Sequence, residues 1–159
     1  MPRDATADAV KGFSIAGARE WPEAIRPMLF PSYADPAALI GRLALGALFL
    51  AHGWPKIKDM RKPIGFVKGT GWPGGAMFAV LFTLLEVFGG LALILGFLTQ
   101  IVAVLFVLEM IATTIFSKTK LKRNFISGYE LDIAYAAFAL VLALLGPGAW
   151  SVDHLLGWA

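Results

Sequence analysis

The chain of 159 residues has no cysteine. That absence excludes disulfide staples, thiolate metal sites, iron–sulfur clusters and any dithiol oxidase working through thiols of its own. Histidine is nearly as scarce, with His52 and His154 making up the whole complement. Charged residues are few as well, at 16%. No glycine-rich phosphate loop, HExxH or GxSxG occurs. No recognisable nucleophile or metal-ligand spacing is left to build an enzyme of those kinds.

Apolar residues are abundant, at 58% against the 45–50% or so of soluble domains, and mean hydropathy is +0.71. They gather into four long runs, about residues 37–53, 75–95, 100–116 and 129–145. Runs of 17–21 residues match a hydrocarbon core about 30 Å thick. The second and third are separated by Gly96-Phe97-Leu98-Thr99 alone. One helix through both would be about twice the length needed, so a tight turn is expected near Gly96. A soluble bundle would show a charged face on each helix, and these runs do not. The expected fold is an all-α membrane protein, a four-transmembrane-helix bundle over residues 36–159. Residues 1–35, mixed in charge with Trp21, Phe30 and Tyr33, read as an interfacial or partly disordered lead-in. They lack the continuous apolar core of a cleavable signal, so the first span is expected to act as its own targeting signal.

The net charge of +3 resides in short loops. Lys56, Lys58, Arg61, Lys62 and Lys68 follow the first run, and Lys118, Lys120, Lys122 and Arg123 follow the third. This distribution predicts orientation in a cell membrane, with basic loops cytoplasmic and both termini on the opposite side. The lipid bilayer is the expected partner, with anionic headgroups near the loops. A protein partner or a second copy is also expected, and nucleic acid is not.

Four ionisable residues fall inside the runs: Arg42, Glu86, Glu109 and Asp132. Facing lipid, each costs about 2.5–3.5 kcal/mol near a helix centre, where an apolar side chain returns about 0.3–0.6. They are therefore expected to face the bundle interior. Helical spacing agrees. Arg42 shares a stripe with Gly46, Phe49, Gly53 and Lys56, with His52 beside it, and Glu86 lies with Thr83, Gly89 and Gly90. Glu109 has Ala112 and Thr113 one turn on, and Asp132 lines up with Tyr129, Tyr135 and Ala139. Depth, at 1.5 Å per residue, suggests an Arg42–Glu86 pair, with Glu109 near the midplane and Asp132, His52 and Lys56 nearer the basic loops. His52 and His154 fall on opposite sides of the membrane, so a bis-histidine haem is not expected.

Chemistry compatible with such residues is proton handling beside a bound quinone. Glu86, Glu109 and Asp132 would move protons, and Arg42, His52, Lys56, Trp54 and Tyr135 would form the pocket. Phe49 and Phe106 are further aromatic candidates for its walls. Two other readings stay open on the residues alone. One is a non-catalytic assembly protein whose charges specify helix packing, and the other a small proton-coupled carrier.

Three segments resemble the DoxX family. GRLALGALFLAHGWPKI has the family's Arg, a Gly four on, and a closing Gly and Lys. LLEVFGGLALILGFLTQ has its glutamate, paired glycines and Gly-x-x-Thr. GYELDIAYAAFALVLALLGPGAWSVDHLLG has an early Asp and a terminal Gly-x-Gly-x-x-Ser-x-Asp. The resemblance covers about residues 37–157. It implies a four-helix membrane fold and carries Arg42, Gly53, Lys56, Glu86, Gly89, Gly90, Asp132 and Asp153 as matching positions. It also implies an association with quinone-reducing sulfur oxidation, or with membrane complexes that handle oxidative or thiol stress.

Overall fold

A computed structural model describes residues 33–158. The lead-in expected over 1–35 falls, up to residue 32, outside the described residues. Ala34 and Asp35 already belong to the first helix, α1 (Ala34–Lys58). The others are α2 (Arg61–Gly69), α3 (Gly75–Leu95), α4 (Thr99–Thr119), α5 (Glu130–Leu145) and a last turn α6 (Val152–Leu155). Among the described residues, four helical stretches are long and apolar enough to cross a membrane: Ala34–Lys58, Gly75–Leu95, Thr99–Thr119 and Phe125–Leu145. Their outward faces carry large apolar side chains such as Ile40, Leu81, Phe88, Leu108 and Val141. That surface suits hydrocarbon and would be untenable in water.

The helices meet through residues that let backbones approach. On α1 the buried stripe is Ala38, Gly41, Arg42, Leu45, Gly46, Phe49 and Gly53. A Cβ at Gly46 would lie 2.6 Å from the Gly90 carbonyl oxygen, and one at Gly53 would lie 2.8 Å from the Glu86 Cβ. Both are closer than real Cβ contacts, so α1 and α3 cross only because these positions are bare. Between α1, α3, α4 and α5 sits the apolar core, with Leu45, Phe49, Leu93, Ala103, Phe106, Ala139 and Leu142 buried. Phe49 and Phe106 stack there with ring centroids 3.6 Å apart.

Three features depart from the sequence reading. The Trp54-Pro55 break is no break: α1 runs through Pro55 to Lys58. Proline costs a helix its i−4 bond and clashes with that carbonyl; here, one turn from the end, the loss is confined to a single exposed bond. The first basic loop is largely a helix, α2, whose polar face carries Arg61, Lys62 and Lys68. Lastly, α3 is not uniform, because residues Leu85–Gly89 form a π turn around Glu86.

The turn near Gly96 forms as expected. Gly96 ends α3 with φ of 71°, left-handed backbone that glycine adopts without strain. A Cβ there would run into the Arg42 guanidinium and come within 2.6 Å of the Ser151 Cβ. Gly96→Ala is therefore expected to lower stability by at least about 2 kcal/mol, combining backbone strain with displacement of a buried cation. Thermal unfolding in detergent reads this directly, and an unchanged midpoint would show that the turn tolerates a side chain.

Candidate functional site

The interior charges separate into two groups at opposite ends of the bundle. Arg42 is fully buried, at 0% exposure. Its partner is not Glu86. The Arg42 Nη2 donates to the carbonyl oxygen of Trp150, and the Asp153 carboxylate lies near enough to act on its charge. Asp153 in turn accepts from the backbone N–H groups of Leu98 and Thr99, at 2.7 and 2.8 Å. Those are orphan donors at the start of α4, where a carboxylate also meets the positive end of the helix dipole. Asp35 accepts from the Ala149 N–H at 2.9 Å. Arg42, Asp153 and Asp35 thus form a clasp fixing the chain after Gly146 across the Gly96 end. The sequence expectation of an Arg42–Glu86 pair fails because Arg42 is held within the Gly96 end of the bundle by the Trp150 carbonyl oxygen, while Glu86 is held by Lys56.

Glu86 pairs with Lys56 instead. The Lys56 ammonium contacts both carboxylate oxygens, Oε2 at 2.6 Å. The π turn and Gly53 together make this possible. With no side chain at Gly53, α3 lies against α1, and the extra residue of the turn re-aims Glu86 at the end of α1 where Lys56 sits. Glu86 is buried while Lys56 stays part-exposed, its stem along the interior and its head at the edge.

Glu109, on α4, is 2% exposed, and neither carboxylate oxygen has a hydrogen-bond partner among the described residues. The charges that bear on it are Glu86 and Lys56. All three residues line a cavity of about 210 Å³ between α2, α3 and α4. Its walls are aromatic and apolar: Phe66 and Val67 from α2, Trp72 from the connecting turn, Phe78 and Phe82 from α3, and Phe116 from α4. Trp72 meets Phe116 edge to face at 5.3 Å, and Phe66 meets it at 6.1 Å. The cavity is therefore mostly greasy, with a cationic donor and an unsatisfied carboxyl group among its lining residues. Apolar walls with a few polar groups are the usual make-up of a small-molecule pocket.

Of the residues expected to form the pocket, Lys56 lines it, as do the proton-handling candidates Glu86 and Glu109. Arg42 belongs to the clasp. His52 and Trp54 are exposed on the outside of α1, with the Lys58 ammonium 5.3 Å from the Trp54 ring. Trp54 lies off the Lys56 face of the helix, whereas His52, one turn before Lys56, shares that face without lining the cavity. Tyr135 sits on α5, its ring 6.1 Å from that of Phe49 and 6.4 Å from that of His52, away from the cavity. Phe49 and Phe106 are core. Asp132, in the first turn of α5, is half-buried with the Thr113 and Ser117 hydroxyls beside its carboxylate. Sequence reasoning missed Phe66, Trp72, Phe82 and Phe116. The signal for Phe66 was present: α2 has an apolar face, Pro63, Phe66 and Val67, in a stretch read as loop.

No solved structure matches this chain. Curated proteins do. It is 34% identical to the inner membrane protein YqjF of Escherichia coli K12 over 77% of this chain and 93% of that protein. It is 28% identical to the inner membrane protein YphA of the same organism, over 73% and 87%. A Bacillus subtilis protein that bears the name "Putative oxidoreductase CatD" is 32% identical over 72% and 83%. The family described as DoxX matches residues 37–119. A multi-pass bundle with Arg42, Gly53, Lys56, Glu86 and the Gly89–Gly90 pair inside that stretch belongs to the DoxX family.

Proposed function

We propose that this protein is the membrane-embedded subunit of a quinone-linked oxidoreductase, with the cavity around Glu109 as the site of the quinone ring. The observation that carries the reading is the pairing of an aromatic-walled cavity with a fully buried carboxyl group that nothing among the described residues satisfies. Natural proteins rarely leave such a group orphaned, and a ligand oxygen would supply the missing partner. The volume is informative too. At about 210 Å³ the cavity is smaller than the roughly 300–1,000 Å³ of sites that enclose a whole drug-sized ligand. It suits a ring headgroup, with the isoprenoid tail left in the surrounding lipid.

Within this reading Lys56, held by Glu86, donates a hydrogen bond to one ring oxygen, and Glu109 faces another. The aromatic side chains stack on the ring and exclude water. When bound, the quinone supplies the capacity to take two electrons and two protons. Electrons come from a reduced sulfur or thiol donor held by a partner protein, since this chain has no redox group of its own. The oxidoreductase name of the Bacillus subtilis relative is in keeping with this. The basic ends of the bundle would face the cytoplasm.

Trp72 provides the test. Titrating the purified protein with a short-chain ubiquinone analogue is expected to quench part of its tryptophan fluorescence, and Trp72→Phe to abolish that part. Ala112→Phe, which pushes a ring into the cavity, is expected to weaken binding at least tenfold. A titration that leaves fluorescence unchanged, from protein that also carries no quinone out of its native membrane, would dismiss the reading. The assembly reading would then gain, since the Arg42 clasp already shows buried charge spent on architecture.

A further inference from the structure

We propose that Thr113, Ser117 and Asp132 form the proton route between Glu109 and the basic-loop side of the membrane. The inference rests on the quinone reading of the cavity and adds to it the direction from which protons come. Its starting point is a geometric problem. Glu109 lies in the middle of α4, about 15 Å from either end at 1.5 Å per residue. A ring seated against Phe66, Trp72 and Phe116 would fill the cavity that Glu109 also lines. Once that happens, Glu109 has no contact with water through the cavity. A second way out is needed if it is to exchange protons.

One is laid out along the helix. Thr113 follows Glu109 by one turn and Ser117 follows Thr113 by another, so the three share one face of α4. Thr113 is the junction, since it lines the cavity and also lies beside Asp132. Its hydroxyl donates to the Met110 carbonyl oxygen at 3.1 Å. A hydroxyl both donates and accepts, and rotation about one bond turns it from that carbonyl to a carboxylate. Asp132 lies between the Thr113 and Ser117 hydroxyls and feels the charge of Arg123, in the second basic loop. α4 and α5 pack extensively against each other, which holds the two sides of the route in register. Toward the Gly96 end the same face of α4 continues with Leu105 and Val102, which carry no proton.

The stepwise chemistry balances. A reduced donor, two thiols for example, forms one disulfide and releases two electrons and two protons on its own side. Glu109 gives a proton to a ring oxygen and regains one through Thr113 from Asp132. Asp132 is refilled past Ser117 and Arg123, and two such passages complete the reduction. Asp132, Thr113 and Ser117 act through Glu109 and are positioning residues; Glu109 is the group that touches the ring.

Infrared difference spectroscopy on the full chain, with the short-chain ubiquinone analogue bound minus free, reads the connection without turnover. The expected result is that carboxyl bands of both Glu109 and Asp132 change on binding. Glu109→Gln removes one, and Asp132→Asn removes the other, although Asp132 does not line the cavity. In a parallel single-turnover measurement, dithionite supplies the electrons. Asp132→Asn and Ser117→Ala are each expected to slow quinol formation at least tenfold while binding, read by Trp72 quenching, changes less than threefold. Asp132→Glu is expected to restore most of the rate. Unaltered spectra and rates in Asp132→Asn, with normal binding, would overturn the route while leaving the pocket intact. Failure of the parent protein to bind the analogue overturns the pocket and the route together.

Discussion

Glu109→Leu is expected to raise the stability of the protein while abolishing its affinity for a ring ligand. Glutamate and leucine are close in size, so the substitution leaves little cavity and needs little overpacking. What changes is polarity. In the parent protein two carboxyl oxygens are buried without partners, a condition that costs about 1–3 kcal/mol where water cannot reach. The single nearby cation does not offset it, because the Lys56 ammonium is already held by both oxygens of Glu86. Leucine removes the unsatisfied group outright and extends the apolar surface toward Phe82 and Phe116. The gain should fall within about 1–3 kcal/mol and show as a higher unfolding midpoint in detergent. Glu109→Gln serves as the control. It keeps a buried polar group without partners, so stability should stay close to that of the parent. A residue whose removal stabilises the fold is held for another purpose, since functional sites commonly sit at a local stability cost. Should Glu109→Leu instead unfold more readily than the parent, Glu109 would be serving the architecture and the ligand reading would lose its main support.

How much of this was legible beforehand varied with the physics involved. The four spans and the Gly96 turn were readable because hydrocarbon imposes a length and forbids unpaired backbone, a constraint each segment must meet on its own. The inward facing of Arg42, Glu86 and Glu109 was readable for the same reason, since cost alone decides it. Which charge meets which was not. Depth along a straight helix put Arg42 near Glu86, yet the π turn at Leu85–Gly89 rotates and shifts the glutamate. The bare surface of Gly53 then lets it meet Lys56. No periodicity announces a π turn, because one extra residue leaves the hydrophobic pattern on either side intact.

The aromatic pocket was missed for a different reason. His52, Trp54 and Tyr135 were chosen by closeness in sequence or stripe to the charged positions, but a helix of 3.6 residues per turn sends neighbours to different faces. Trp54, two residues before Lys56, falls on another face of α1, and His52, four before it, shares its face but stops short of the cavity. The residues that do line the cavity come from three elements. One of these, α2, lies in the basic stretch, where charge masked a short amphipathic pattern. Thr113, by contrast, was visible one turn beyond Glu109. Only the packing of α5 shows that it also reaches Asp132.

The Lys56–Glu86 pair carries the other large effect, and it should be lopsided. Lys56→Met leaves the buried Glu86 carboxylate without its counter-charge and, through the shared cavity, beside Glu109. Breaking a buried pair in this way costs about 3–5 kcal/mol. The partial exposure of Lys56 moderates that figure toward about 3 kcal/mol, because water already screens the lysine end. Glu86→Gln asks far less. The freed ammonium has 39% of its side chain exposed, so it can extend to the interface among the other basic residues, and the loss should stay below about 1 kcal/mol. The double variant Lys56→Met, Glu86→Met removes both charges and should recover most of the single-lysine loss, as apolar replacements of buried pairs commonly do. With Glu86→Met added as the matching single variant, unfolding midpoints of the parent, the two methionine singles and the methionine double close a double-mutant cycle. Equal losses in Lys56→Met and Glu86→Gln would mean that the pair is fully dry and symmetric, contrary to a lysine reaching in from the edge to hold a glutamate set by the π turn.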